Sequence, residues 1–181
     1  MVAILLGHGF EEAEAIVPAD LLRRAGIEVT LTALEGLEVK SSHNITVKAD
    51  ANLSDLDADK LELLFLPGGM GGVEAIQSCP AALELVRAVY DEGKYLAAIC
   101  AAPTVLGALG LLKDRRAVCY PGMEDGLIGA AVQKGQGVVT DGKLITGEAA
   151  GSAFDFGLKL VELLKGPAAA QQVKNAVYYR G

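Results

Sequence analysis

YLAAICAAPTVLGALG, residues 95–110, is the segment from which the fold of this chain can be predicted. Its first half is a continuous apolar run, which is typical of a strand buried on both faces of a sheet. The run ends at Cys100, and the residues that follow have the composition of a turn and then a helix. Such a turn would hold the Cys100 thiol above the sheet edge, where a helix N-terminus lowers the pKa of a thiol and favours the thiolate. A buried core cysteine is the structural alternative.

Two other apolar runs also end in unusual loops. Residues 2–6 lead into GHGFEE and a helical pattern that stops at Gly26, and residues 61–66 lead into PGGMGG. Apolar strands that alternate with helices predict a mainly parallel sheet with helices on both faces. The other predicted strands are residues 27–33, 117–119, 138–140 and 144–146, with a small hairpin or edge excursion at 37–47; the other predicted helices are residues 73–77, 81–92, 153–165 and 168–177.

Two local signals add detail to this prediction. The dipeptide Asp141–Gly142 between two of the short strands predicts a hairpin turn. Ser152 stands where it can cap the helix at residues 153–165, which Gly166 and Pro167 should end. Ligands bind beyond the carboxyl ends of parallel strands, so the loops after residues 6, 66 and 99 are expected to form one site.

Length and composition predict a single domain over residues 1–181. The formal net charge of -7 argues against nucleic acid as a ligand. No apolar stretch reaches the ~18 residues that span a bilayer and no basic leader precedes the first strand, so we expect a cytoplasmic protein without a membrane partner. Mean hydropathy of +0.35 favours a homodimer. The spacing of the three cysteines matches neither a disulfide framework nor a zinc site, so no metal is expected.

Four motifs occur in a fixed order along nearly the whole chain: GFEEAEAIVPADLLRRAG at 9–26, LFLPGG at 64–69, LAAICAAPT at 96–104 and FDFGLKLVELL at 154–164. This combination resembles the DJ-1/ThiJ/PfpI superfamily, and most closely its short single-domain DJ-1/ThiJ branch. The resemblance implies a flavodoxin-like three-layer α/β sandwich, commonly a homodimer. It also implies that Cys100 is the reactive cysteine and that the carboxyl group of Glu14 contacts its sulfur.

The resemblance further assigns the backbone amides of Gly68, Gly69 and Ala101 to an oxyanion-binding nest, since glycine lets the backbone approach a ligand closely. A carboxyl pressed against sulfur in a dry cleft should have a raised pKa and can donate a hydrogen bond. Without the resemblance, Glu14 would be interpreted as an acidic residue that compensates a helix dipole. The PGG sequence at residues 67–69 would be interpreted as a plain tight turn.

Tyr120 departs from the family pattern, because many members carry a histidine beside the cysteine at this point. A phenol is not a base at neutral pH, which argues against a histidine-dependent protease or hydrolase triad. Tyr120 is instead expected to contact the substrate. Other residues are candidates near the cleft, and each has an ordinary surface or core position as its alternative. They are His8, His43 contributed by a partner subunit, Cys119 as a resolving thiol, and the carboxylates Glu124 and Asp125. Cys79 is predicted to be a helix-boundary residue.

The sequence therefore favours a cysteine-dependent, cofactor-free glyoxalase or deglycase that acts on small 2-oxoaldehydes such as methylglyoxal, or on their adducts. In this hypothesis Cys100 is the nucleophile and Glu14 carries the protons. The alternative is a redox sensor or chaperone-like stress protein in which Cys100 is oxidised. The family also suggests a role in thiazole monophosphate biosynthesis or intracellular proteolysis, for which the sequence offers no specific motif.

Overall fold

The computed structural model describes residues 1–181 as a seven-stranded central sheet with helices on both faces and two small accessory ribbons. The strands are β1 (Val2–Leu6), β2 (Val29–Ala33), β3 (Glu38–Lys40), β4 (Thr46–Lys48), β5 (Ala51–Asn52), β6 (Leu63–Leu66), β7 (Tyr95–Ile99), β8 (Arg116–Ala117), β9 (Ala131–Val132), β10 (Val138–Asp141) and β11 (Leu144–Gly147). The helices are α1 (Glu12–Arg24), α2 (Met70–Gln77), α3 (Pro80–Asp91), α4 (Pro103–Ala108), α5 (Ala153–Lys165) and α6 (Pro167–Ala176).

The central sheet has the strand order β10-β11-β7-β6-β1-β2-β5. All its neighbouring pairs are parallel except β10 with β11, which form the hairpin predicted at Asp141–Gly142. The mainly parallel flavodoxin-like α/β fold is therefore confirmed. Because β1, β6 and β7 are central and parallel, their carboxyl ends lie side by side at one edge.

Strand β1 shows why the predicted strands are continuous apolar runs rather than alternating ones. Successive side chains point to opposite faces, and both faces are covered. Val2, Ile4 and Leu6 pack in the core beneath α1 and α5, whereas Ala3 and Leu5 pack in the core beneath α2, α3 and α4. Polar side chains on either face of these strands would be buried, which explains the runs at residues 2–6, 63–66 and 95–99.

The polar excursion predicted at residues 37–47 is the antiparallel ribbon of β3 and β4. Its tip is tied to the loop after β1, since the Gly9 N–H donates to the Lys40 carbonyl at 2.7 Å and the Ser42 N–H donates to the Phe10 carbonyl at 2.9 Å. These two bonds place the ribbon tip above the carboxyl edge of the sheet.

Two predicted details differ from the structure. The strand expected at 117–119 is only β8, because the Val118 N–H donates to the side-chain hydroxyl of Thr146 at 3.0 Å and not to a backbone carbonyl of a strand. Ser152 stands at the N-terminus of α5 but makes no capping hydrogen bond, since a 3₁₀ turn at Ala150–Ser152 leads into the helix. None of the helices combines the length and apolar character needed to span a membrane.

Candidate active site

The loops that follow β1, β6 and β7 meet at the carboxyl edge of the sheet. The Glu11 N–H donates to the Gly68 carbonyl at 2.9 Å, which ties the first loop to the second. Gly68 in turn lies against both Glu14 and Cys100, because a Cβ built on it would stand 2.6 Å from the Cys100 Cβ and would collide with the Glu14 carboxylate. The sequence prediction that these loops come together is therefore what the structure shows.

Cys100 occupies a strained backbone position. Its φ of 63° lies in the left-handed region, which costs a non-glycine residue roughly 1–2 kcal/mol. Hydrogen bonds hold it there: its N–H donates to the Gly147 carbonyl at 3.0 Å, and its carbonyl accepts the Tyr120 N–H at 2.8 Å. Strain maintained in this way is characteristic of functional sites.

Glu14 projects from the first turn of α1 and is completely buried. Its Oε2 accepts the Gly68 N–H at 2.9 Å, while its Oε1 is buried without an N–H or O–H partner. The thiol of Cys100 lies close enough to this carboxyl for each group to change the pKa of the other. A buried carboxyl with one unpartnered oxygen is well suited to hold a proton directed at sulfur.

Burial shifts the titration of both groups in the same direction. It raises the pKa of Glu14 from 4.5 to about 7. It also raises the pKa of the Cys100 thiol, to about 12, with the charge of an ionised Glu14 as the second cause. We interpret these values as belonging to the pair: the first proton leaves near pH 7, and a second anion beside it forms only near pH 12.

The backbone around the sulfur stabilises negative charge. The N–H groups of Ala101 and Gly69 lie near the sulfur and lower the pKa of Cys100, although burial outweighs them. Helix α4 begins only at Pro103 and has six residues, so its dipole adds little. The expectation of a thiolate produced by a helix N-terminus is therefore wrong, because burial raises the pKa of Cys100 more than the nearby amides lower it.

An open cleft of about 660 Å³ lies over this pair, a volume suited to a small ligand. It is lined by Gly9, Glu11, Ser42, His43, Gly69, Met70, Gly71, Cys100, Ala101, Tyr120, Pro121, Gly122 and Met123. Of the residues assigned to a site from the sequence, Cys100, Gly69, Ala101 and Tyr120 line the cleft, and Glu14 lies beneath it. The Gly68 amide binds Glu14 and does not face the cleft.

The other candidates lie away from this cleft. His8 and Cys79 line a separate cavity of about 350 Å³ at the same sheet edge. Cys119 is buried, and its thiol is 3.4 Å from the Tyr120 carbonyl. Glu124 accepts the Gly122 N–H at 2.9 Å and lies 3.4 Å from Lys134. Asp125 is exposed and does not line the cleft.

His43 lines the cleft of its own chain, at the tip of the β3–β4 ribbon. The sequence predicted for His43 a contribution to a partner subunit's site, because nothing local to residues 41–44 shows that the ribbon folds back over Cys100. Glu11, Glu12 and His43 bring potential metal ligands within 4.8 Å of one another. These side chains already have partners, because the Ser42 hydroxyl contacts both carboxylates and the His43 ring contacts Glu12.

Comparison with known proteins identifies one family over most of the chain. A model of the DJ-1/PfpI family matches residues 1–163. The chain is 40% identical to protein dj-1beta of Drosophila melanogaster, across 96% of this chain and 94% of that protein. It is also 32% identical to deglycase PfpI of Pyrococcus furiosus, across 91% of this chain and 99% of that protein.

Solved structures give the same result. The crystal structure of Drosophila melanogaster DJ-1beta matches with a TM-score of 0.95 at 37% identity, covering 99% of this chain and 98% of that chain. A structure of Toxoplasma gondii DJ-1 described as oxidised matches with a TM-score of 0.94 at 34% identity, with the same two coverages.

Proposed function

The chain belongs to the DJ-1/PfpI family, and from that premise we propose that it is a cysteine-dependent enzyme that converts small 2-oxoaldehydes, or their adducts with amines and thiols, to hydroxy acids. The observation that carries this proposal is the Cys100–Glu14 pair at the floor of an open cleft, with two backbone N–H groups directed at the sulfur. The name deglycase, borne by the Pyrococcus furiosus relative, supports an activity of this class.

The first step is the addition of Cys100 to the aldehyde carbon of methylglyoxal. A carbon–sulfur bond forms, the carbonyl electron pair moves to oxygen, and Glu14 takes the thiol proton. A group that titrates near pH 7 is well matched to this exchange. The N–H groups of Gly69 and Ala101 are adjacent to the new oxyanion and stabilise it until it receives the proton.

The resulting hemithioacetal rearranges without a cofactor. The proton on C1 leaves to a base and a proton is added at C2, while the hydroxyl proton on the C1 oxygen is lost and the C2 oxygen gains one. The product is a lactate thioester on Cys100. Water then breaks the carbon–sulfur bond, which gives lactate and the free thiol. Methylglyoxal and one water thus account for every atom of the product.

The test is methylglyoxal consumption by wild type, Cys100→Ser and Cys119→Ser, with lactate measured as the product. We expect Cys100→Ser to fall to the uncatalysed rate and Cys119→Ser to keep wild-type turnover, because Cys119 lies outside the cleft. A Cys100→Ser protein that still forms lactate would contradict the proposal. A panel of other small aldehydes and glycated thiols in the same assay identifies the preferred substrate.

A redox sensor is the second candidate, and one observation favours it. Sulfinate oxygens on Cys100 would be surrounded by the amides of Gly69 and Ala101 and by a Glu14 carboxyl able to donate a proton. Mass spectrometry after mild peroxide treatment tests it. Stoichiometric oxidation at Cys100, together with negligible turnover of aldehydes, would favour the sensor over the enzyme.

The homodimer predicted from the sequence is retained as part of the proposal. Sedimentation equilibrium at micromolar concentration should give twice the chain mass of 18.7 kDa. A monomer under these conditions would contradict it.

A further inference from the structure

We infer that His43 is the general base that activates water for hydrolysis of the thioester on Cys100, and that Glu12 is the positioning residue for its imidazole. The inference rests on the proposed function and concerns its last step. The base for that step would come from the β3–β4 ribbon. The same cleft holds Tyr120 and Cys100.

Glu14 is badly placed to activate this water. Its side chain is 0% exposed, and it lies behind Gly68 and the sulfur. Once an acyl group is attached to Cys100, that group lies between Glu14 and the open side of the cleft. The attacking water must therefore come from the mouth, where the titratable side chains are Glu11, His43 and Tyr120.

Of these three side chains, only an imidazole is suited to the task. A phenol keeps its proton at neutral pH and cannot accept another, and an ionised carboxylate is a weak base. An imidazole changes its protonation state between about pH 5 and pH 8 and can accept the proton of water. The side chain of His43 is 69% exposed, so water reaches it freely.

The surroundings of His43 fix its orientation. Its Nδ1 lies 2.9 Å from Oε1 of Glu12 and 3.0 Å from the Ser42 hydroxyl. That hydroxyl also donates to Glu11 at 2.8 Å and lies 3.1 Å from Glu12, so the two carboxylates and the serine brace one face of the ring. A proton on Nδ1 shared with Glu12 leaves the Nε2 lone pair free, as in nucleophile–base–orienter triads.

The step balances without any other reactant. The water oxygen bonds to the acyl carbon while Nε2 of His43 takes one water proton. The carbon–sulfur bond then breaks, its electron pair stays on sulfur, and the sulfur takes up the proton that His43 removed from water. The new carboxylic acid releases its own proton to solvent as lactate, and the Glu14 carboxylate, the Cys100 thiol and the neutral imidazole are back in their starting state.

Intact-protein mass spectrometry during methylglyoxal turnover, combined with kcat, tests this role. In His43→Gln we expect kcat to fall about 100-fold, the scale of a general base. We also expect an adduct with the mass of one methylglyoxal to accumulate on Cys100. Glu12→Gln should show a smaller fall of about 10-fold, with a partial rise in the same adduct. Glu84→Gln is the control, because Glu84 is exposed and lies outside the cleft.

The outcomes separate the two proposals. Slow turnover with adduct accumulation in His43→Gln supports the inference. Wild-type turnover in His43→Gln, or slow turnover without an adduct, overturns it and leaves the enzyme assignment intact so long as Cys100→Ser is inactive. Activity in Cys100→Ser would overturn both. Matching thermal unfolding curves for wild type and His43→Gln exclude misfolding as the cause of a loss.

Discussion

Cys100 and Cys119 are two thiols on neighbouring segments, joined where the Tyr120 N–H donates to the Cys100 carbonyl. Burial raises the pKa of both, to about 12 for Cys100 and about 11 for Cys119. Burial alone therefore does not distinguish a reactive cysteine from a structural one. The difference lies in what else surrounds each sulfur.

Cys119 packs among the apolar side chains beneath α2, α3 and α4 and lines a smaller cavity of about 290 Å³. Its thiol donates one hydrogen bond, to the Tyr120 carbonyl. Cys100 has a buried carboxyl as proton partner, two amide donors, a left-handed backbone and an open cleft. The reactivity of a thiol in this chain therefore depends on a proton partner and on access. Removing one of these features at a time, with Cys119 or an exposed site as reference, tests this dependence.

Gly68→Ala should have the largest effect, because the new methyl group would occupy the space between Glu14 and Cys100. Its Cβ would stand 2.6 Å from the Cys100 Cβ, and neither partner can move without losing the contact between them. We expect turnover of methylglyoxal to fall about 1,000-fold. Gly151→Ala is the control, since a Cβ there meets nothing within 4 Å. Equal activity of the two variants would show that the pair is not needed in its present geometry.

The titration of Glu14 should be visible in the pH dependence of the free energy of unfolding. Its pKa is raised from 4.5 to about 7 in the folded chain, so the folded state holds this proton more tightly than the unfolded state. The resulting stability is complete below about pH 4.5 and is lost as the pH rises through about 7. Between these limits, the free energy of unfolding of wild type should fall by about 3 kcal/mol relative to Glu14→Gln. Urea titrations measure this, and Glu84→Gln, at an exposed position, should follow wild type.

The strand and turn that carry Cys100 were predictable from the sequence. The position of His43 and the protonation state of the thiol were not, for physical reasons. The apolar run ending at Cys100 predicted the strand and turn, because a strand buried on two faces must be apolar throughout. The position of His43 was missed, because a ribbon tip is placed by two backbone hydrogen bonds to residues more than 30 positions away. The state of the thiol was also missed, since desolvation depends on how closely Gly68 and Glu14 pack against sulfur.

The rate of alkylation of Cys100 tests whether Glu14 accepts the thiol proton. In wild type the rate with iodoacetamide should rise as the pair loses its first proton near pH 7. In Glu14→Gln burial still keeps the pKa of the Cys100 thiol above its ordinary value of 9.0, and no carboxylate is available to accept the thiol proton. The rate should therefore rise only above pH 9.0, and at pH 8 it should be about 10-fold slower. Cys119 should remain unmodified in both proteins until they unfold. A variant that reacts as fast as wild type at pH 8 would show that Glu14 does not share the proton.

The smallest expected effect is on stability, and it comes from the backbone conformation at the two cysteines. It measures the strain at Cys100 independently of the chemistry of its thiol. At a φ of 63° glycine avoids the penalty that any side chain meets, so Cys100→Gly should be about 1 kcal/mol more stable than Cys100→Ala. Cys119 has no positive φ, so Cys119→Gly should instead be less stable than Cys119→Ala by a similar amount, because glycine loses more conformational freedom on folding. For a chain of 181 residues, each difference corresponds to a shift in Tm of about 2–4 °C, which differential scanning calorimetry resolves. Opposite signs at the two sites would show that the chain maintains strain at Cys100 and none at Cys119. The same sign at both would mean that the left-handed turn costs the protein nothing, and that the position of the sulfur depends on packing alone.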